Sequence, residues 1–357
     1  MLKKLVNENI KNLEPYKVPD LDYNIKLDAN ENPYPMPEFL GENIKIDMEK
    51  EIFNALWNYY PDAQSKDLRE ELAKKLKLKK ENIILGNGSD ELILNLMLTY
   101  VSKGKKVLIH TPTFAMYKIT TQIVNGEVIE VPLNSEDFSI NKDEMIKNVI
   151  KDDVAMTFIT YPNNPTGNLF EEKSIIEIIE KAKGLVVIDE AYSEFAGKSF
   201  VDKVSKYENI AILRTFSKAY GIAGLRIGYM VASEEVINEV NKVRLPYNIN
   251  KITQIIALKV LKNSENMKKI VKDILEERER MEKELSEITE IKLYKSDSNA
   301  LFFKTEKAEI IFSKMLENKI LIRRFKGDLK NFIRISIGRR DENDKVLNII
   351  KELFGKN

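Results

Sequence analysis

The sequence predicts an α/β fold: a large domain with a mostly parallel sheet of roughly seven strands flanked by helices, plus a smaller α+β domain. Three observations lead there. From Asn82 to Val231, short apolar runs alternate with amphipathic stretches of helix length, the pattern of strands buried on both faces. From Asn250 to about Leu285, one stripe is apolar and the remainder densely charged, as a long helix or a kinked pair requires. Beyond residue 300 a second, shorter alternation of strands and helices begins.

Taken in order, residues 1–30 read as a short helix and an extended arm through Tyr16, Pro19 and Leu27. Asp28-Ala-Asn-Glu-Asn-Pro-Tyr-Pro-Met-Pro37 is too rich in proline for a helix or a central strand, and is expected to be a linker or a substrate-facing loop. Helices follow at about 45–56 and 65–76, the second with acid early and base late. Strands are expected at 82–85, 106–109, 127–131, 154–160, 185–188, 210–214 and 226–231. Helices at 114–124, 141–150 and 171–182 separate several of them, and Gly86-Asn-Gly-Ser-Asp-Glu91 turns the chain into a helix ending at Val101. The second unit takes strands 300–304, 320–325 and 332–337 with helices 307–318 and 341–354. The division is expected to give a large domain at 31–248, with 1–30 and 249–357 forming the small one.

Composition removes much chemistry. There is no cysteine and His110 is the only histidine, so disulfides, Cys/His zinc sites and cysteine nucleophiles are excluded, and no metal centre is expected. With 57 basic and 56 acidic residues the net charge is +1, which argues against a nucleic-acid or membrane-surface partner. Neither a signal peptide nor a membrane-spanning stretch is legible, and a cytoplasmic protein is expected.

The chemistry centres on Lys218. It lies between an apolar run ending at Leu213 and a second beginning at Ile227, among Thr215, Ser217, Gly221 and Gly224. A lysine near apolar surface loses basicity and becomes an amine nucleophile toward a carbonyl. Thr215, Ser217 and Arg226 supply hydroxyls and a forked cation for a phosphate monoester. On this stretch alone, a solvated turn lysine is an equal reading.

Asp189 ends the apolar run Val186-Val187-Ile188, where a carboxylate is a helix cap, a metal ligand or the partner of a cation. Beside a lysine-bound pyridoxal phosphate it would keep the pyridine nitrogen protonated. The loop Tyr161-Pro-Asn-Asn-Pro-Thr-Gly167 brings Asn164 to the same sheet edge, where it and Tyr192 would donate to a phenolate oxygen; an ordinary proline-rich turn is the alternative. Ser89 and Asp90 open a helix whose free amides suit an anion or serve only as a cap. Arg323, Arg324 and Arg334 sit inside strand patterns, and Arg334 shares a face with Ser336, suited to a carboxylate or phosphate. His110 reads as packing or capping rather than catalysis.

Together, Pro162-Asn-Asn-Pro-Thr-Gly167, Asp189-Glu-Ala-Tyr192 and Ser217-Lys218 with Gly224-Leu-Arg-Ile-Gly228 resemble the fold-type I pyridoxal-phosphate-dependent aminotransferases of class I and II, across nearly the whole chain. Asn12-Leu-Glu-Pro-Tyr16, Leu27-Asp-Ala-Asn-Glu-Asn-Pro33, Tyr60-Pro61 and Gly88-Ser-Asp-Glu91 resemble, more narrowly, the histidinol-phosphate aminotransferases. The resemblance implies pyridoxal 5'-phosphate held covalently by Lys218, with Asp189 on its ring nitrogen, Asn164 and Tyr192 on its ring hydroxyl, and Phe114 stacked on the ring where many relatives carry tyrosine. Ser89, Asp90, Thr215, Ser217 and Arg226 would surround its phosphate, joined by Tyr60 of the neighbouring subunit of a homodimer. Arg334 would take the donor's carboxylate, while Tyr16, Asn30 and Arg323 would line the substrate side. Asp28 stands where the pattern often has asparagine.

The implied reaction transfers an amino group between histidinol phosphate and 2-oxoglutarate. An aromatic aminotransferase and a threonine-phosphate decarboxylase use the same scaffold. A non-catalytic regulator would need a DNA-binding module beyond the stretch that carries the resemblance.

Overall fold

The protein is described by a computed structural model covering residues 2–11, 13–14 and 21–355. Tyr16 lies outside the described residues. Two sheets organise the molecule. The larger has seven strands in the order β2-β8-β7-β6-β5-β3-β4. They are β2 (Ile83–Gly86), β3 (Lys106–Thr111), β4 (Glu127–Pro132), β5 (Val154–Thr160), β6 (Leu185–Asp189), β7 (Ile210–Thr215) and β8 (Gly228–Ala232).

Both faces of this sheet are covered, and alternate residues show it. Val107, Ile109, Val187 and Leu213 pack with Leu92, Leu96 and Val236 on one side, whereas Leu108, Val186, Ile188 and Ile212 pack with Ile175 and Ile178 on the other. Apart from the edge strand β4, each strand buries residues of both parities, so it reads as a continuous apolar run instead of an alternating one.

One strand departs from the parallel arrangement for a reason visible in the chain. A parallel neighbour needs a crossover of a dozen or more residues, usually a helix. The residues between β7 and β8 form no crossover helix, only loop and a 3₁₀ turn at Ala223–Leu225, and β8 runs antiparallel to both β7 and β2. That loop carries Lys218. β8 begins at Gly228, later than the expected 226, because Arg226 adopts a left-handed backbone (φ 51°).

The smaller sheet has the order β1-β11-β12-β10-β9, with β1 (Ile25–Leu27), β9 (Lys292–Tyr294), β10 (Ala300–Lys304), β11 (Ile320–Arg324) and β12 (Phe332–Ser336). The arm expected at 1–30 contributes β1, parallel to β11, and its expected N-terminal helix is a single 3₁₀ turn at Leu2–Leu5. The charged stretch after Asn250 is a pair of helices, Lys251–Lys262 and Ser264–Ser286, broken at Asn263. Helix Lys251–Lys262 packs on helices Glu42–Phe53 and Lys66–Leu76, so it belongs as much to the larger unit as to the smaller. One apolar core runs from the second face of the large sheet into Phe302, Ile333 and Ile335 of the small one.

Candidate active site

The parallel strands β3, β5, β6 and β7 end along one edge, at Thr111, Thr160, Asp189 and Thr215, where ligands of open α/β sheets bind. The small sheet faces that edge with Arg323 and Arg334. Between them lies a cavity of about 850 Å³. Lys218, Asp189, Tyr192, Asn164, Phe114, Ser89, Asp90, Thr215, Ser217, Arg226, Arg323 and Arg334 all border it.

Lys218 is half-buried, donates to the Ala29 carbonyl at 2.6 Å, and has its Nζ 5.9 Å from the Tyr192 ring centre. Burial, with the Arg334 charge second, lowers its pKa from the ordinary 10.5 to about 8. Asp189 is buried, and burial raises its carboxyl from 3.8 to about 6 against the pull of two donors, the Tyr117 hydroxyl (2.6 Å) and the Ala191 amide (3.1 Å). An acid and a base with values drawn toward neutrality across one cavity are what proton-transfer chemistry needs.

A phosphate-sized cup sits at one end. Thr215 and Ser217 hydroxyls lie 2.9 Å apart, and the Ser217 amide donates to Thr215 Oγ1 at 3.1 Å. Helix Gly88–Tyr100 begins at the same space, its Ser89 and Asp90 bordering the cavity. Two glycines keep the space open: a Cβ on Gly88 would lie 2.6 Å from Arg226 Nη2, and one on Gly228 would lie 2.6 Å from the Ser89 amide nitrogen. Asp90 touches the cup through Arg226, whose guanidinium it accepts at 2.7 Å.

At the other end, Arg334 is buried, donating from Nη1 to Asn164 Oδ1 at 2.5 Å and from Nη2 to the Asp28 carbonyl. With Oδ1 so used, Asn164 offers a ligand its amide nitrogen. Arg323 borders the cavity, whereas Arg324 turns away to pair with Glu309. Phe114 borders it too, edge-on to Tyr117 at 5.6 Å.

Two expected residues stand apart from this cavity. Asn30 is buried at φ 53°, its Oδ1 accepting from Ser336 Oγ at 3.0 Å and its amide donating back at 2.8 Å. It braces the loop directly after Ala29, whose carbonyl accepts from Lys218. Tyr60 is 78% exposed and stacks on Tyr247 at 4.5 Å, away from its own chain's cavity. His110 is fully buried, held near 3 by desolvation, and its Nε2 accepts from the Thr160 amide at 3.3 Å.

Tyr117 was missing from the sequence reading. Its signal was its spacing: three residues after Phe114, one helical turn on, it points back over the same strand ends.

The family model for aminotransferases of class I and II matches residues 23–350. The histidinol-phosphate aminotransferase of Caldanaerobacter subterraneus subsp. tengcongensis is 42% identical over 99% of this chain and 100% of its own length. Among solved structures, the histidinol-phosphate aminotransferase of Clostridium acetobutylicum superposes with a TM-score of 0.83 at 28% identity, covering 93% of this chain and 99% of that one. The Sinorhizobium meliloti enzyme of the same name, solved in complex with pyridoxal-5'-phosphate, gives 0.87 at 22% identity over 98% of both chains, a likeness of fold. With a family match across nearly its full length and a close full-length relative, this chain belongs to the class I and II aminotransferases, in their histidinol-phosphate aminotransferase branch.

Proposed function

We propose that this enzyme transfers the amino group of L-histidinol phosphate to 2-oxoglutarate, giving 3-(imidazol-4-yl)-2-oxopropyl phosphate and L-glutamate, a step of L-histidine biosynthesis. The observation that carries the reading is one cavity that holds an amine of lowered basicity, a buried carboxyl and two arginines, in a chain 42% identical to a relative of that name.

The cofactor is pyridoxal 5'-phosphate, and the residues fit it. The cup of Ser89, Thr215, Ser217 and Arg226 suits its phosphate, with Asp90 steadying Arg226. Asp189 suits its ring nitrogen, Asn164 and Tyr192 its hydroxyl, Phe114 its ring face and Lys218 its aldehyde. When bound, it supplies an electron-accepting ring that stabilises negative charge at the substrate carbon.

The protein's own residues do the rest. Lys218 Nζ, as a free amine, would take the proton from the amino-bearing carbon and, as an acid, deliver it to the carbon on the other side of the transferred nitrogen. Asp189 would hold negative charge opposite the ring nitrogen. Histidinol phosphate has no carboxylate, so Arg323 and Arg334 take its phosphate in one half-reaction and the dicarboxylate partner in the other. Two unlike anions in turn call for a basic wall.

The same proposal includes a homodimer in which Tyr60 reaches the partner's cofactor phosphate. Its support is the run of exposed apolar side chains Phe53, Leu56, Trp57, Tyr59 and Tyr60, the last stacked on Tyr247. The larger unit is taken as residues 31–248, the smaller as 1–30 with 249–357, and the working place as the cytoplasm. Among the described residues no helix is long and apolar enough to cross a membrane.

The test is a single-turnover absorbance experiment with the loaded enzyme, adding histidinol phosphate, threonine phosphate or phenylalanine separately. Conversion to the aminated cofactor is expected with histidinol phosphate at least tenfold faster than with phenylalanine. Equal rates would make it a broad aromatic aminotransferase, and carbon dioxide release from threonine phosphate would make it a decarboxylase.

A further inference from the structure

Tyr117 has no part in the proton traffic of Lys218, yet its hydroxyl is aimed at Asp189. It is fully buried, its ring stacks on Phe158 at 4.4 Å and meets Phe114 edge-on at 5.6 Å, and this packing leaves the hydroxyl little freedom of direction. The oxygen lies 2.6 Å from Asp189 Oδ2 and 3.1 Å from Thr160 Oγ1, and Thr160 Oγ1 lies 3.0 Å from Thr113 Oγ1.

The direction of this chain follows from proton counting. An ionised carboxylate only accepts, so Tyr117 must donate to Asp189. Having spent its one proton, the phenol oxygen accepts from Thr160. Thr160 in turn accepts from Thr113, at the rim of the cavity. All three hydroxyls therefore point one way while Asp189 is ionised. A protonated Asp189 would set its own proton against that of Tyr117.

We propose that Tyr117 is a positioning residue: as the last donor of the one-way chain Thr113, Thr160, Tyr117, it keeps the proton shared by Asp189 and the cofactor's ring nitrogen on the nitrogen. The inference rests on Asp189 facing that nitrogen. One proton is divided between two bases, and the donor to Asp189 weakens one of them. Without it the carboxylate becomes a stronger base and the ring holds less of the positive charge that makes it an electron acceptor.

The other groups around Asp189 do not supply this. Asp90 and Glu190 are negative and push its proton affinity up, and Glu190 is engaged by Arg214 at 2.8 Å. His110 stays neutral, and its Nε2 faces the Thr160 amide. Tyr192 is near enough to act on Tyr117 electrostatically, and Lys218 lies across the cavity that the cofactor would fill. The Ala191 amide binds Oδ1 and is the one other donor that favours the ionised form.

The experiment reads the proton directly. Enzyme loaded with pyridoxal phosphate labelled with nitrogen-15 in the ring is observed by NMR at pH 7.5. The wild type is expected to show the protonated-pyridine shift. Tyr117→Phe, which keeps the ring and its stack, is expected to move the resonance toward the neutral-pyridine value. Thr160→Val should move it the same way by less, and Thr160→Ser should restore the wild-type shift. A purely structural Tyr117 would lower the melting temperature and leave the resonance in place, and an unmoved resonance in folded, loaded Tyr117→Phe overturns the proposal. If that variant does not fold or retain cofactor, Thr160→Val decides by the same criterion. A neutral ring in the wild type would instead defeat the assignment of Asp189, a separate failure.

Discussion

Arg323 and Arg334 stand directly opposite each other on the antiparallel strands β11 and β12. Like charges so placed destabilise a sheet, and neighbours usually relieve them. Arg324, one residue on, has such relief in Glu309. Arg334 donates to Asn164 Oδ1 and to the Asp28 carbonyl, and Arg323 lies over the Phe325 ring at 5.9 Å. Both guanidiniums border the cavity, where such forked cations suit an anion.

Arg323→Ala should therefore separate binding from stability. Losing a charged hydrogen bond to the substrate phosphate costs about 1.5–3 kcal/mol, roughly a ten- to hundredfold fall in kcat/KM for histidinol phosphate. The melting temperature of the unliganded variant should equal or exceed that of the wild type, since a like-charge contact is gone. Steady-state kinetics with thermal unfolding checks both. A destabilised variant with unchanged kcat/KM would mean that Arg323 serves the sheet and not the substrate.

Lys218 should capture its cofactor at moderate pH. At a pKa of about 8, roughly a tenth of the side chain is free amine at pH 7, against about three parts in ten thousand at 10.5. The rate at which cofactor-free enzyme forms a borohydride-fixable adduct should rise with pH and level off between about 8 and 9. Continued rise past pH 10 would show an ordinary lysine. Lys218→Ala should form no adduct.

Asp189 couples stability to pH in the cofactor-free enzyme. Its folded value, about 6, lies above the ordinary 3.8, so the folded state binds the proton more tightly. The stabilisation is complete below about pH 4 and is lost as pH rises through about 6, amounting to at most about 3 kcal/mol. The stability of wild type relative to Asp189→Ala should shrink over that window. Tyr117 and Ala191 lose a partner in the variant at any pH, a constant offset that leaves the slope readable. Chemical denaturation of the two cofactor-free proteins at pH 5 and 7.5 makes the comparison; a difference that does not change with pH would contradict the raised carboxyl.

Much of this was legible in the sequence, for local reasons. Strands β5 and β10 fall at the expected residues because unbroken apolar runs with clear ends leave no other assignment. Lys218, Asp189 and Asn164 were readable because each follows such a run at a sheet edge, where function concentrates. What was not legible depends on tertiary partners. Ile25–Leu27 has no strand signal of its own and is ordered as a strand by β11. Asn30 reads as a loop polar residue until Ser336, more than three hundred positions away, takes its side chain. The spacing of Tyr117 from Phe114 aims it at the strand ends, but nothing local says that its hydroxyl finishes on Asp189.

The cross-subunit role of Tyr60 has a test in which two defects repair each other. Tyr60 is exposed and is not among the residues bordering its own chain's cavity, and a dimer would bury it with Phe53 and Trp57. Consider a heterodimer with Lys218→Ala in one subunit and Tyr60→Phe in the other. If Tyr60 acts in the partner's site, both defects fall in one site and the second site is wild type. The mixed dimer then retains cofactor with wild-type affinity at half occupancy. If Tyr60 acts within its own subunit, one site lacks its lysine and the other its tyrosine, and no wild-type site exists. Differently tagged subunits, co-expressed and purified through both tags, give the heterodimer without either parent. Cofactor titration of that species should show one tight site per dimer; a single weakened site would place Tyr60 in its own subunit's cavity.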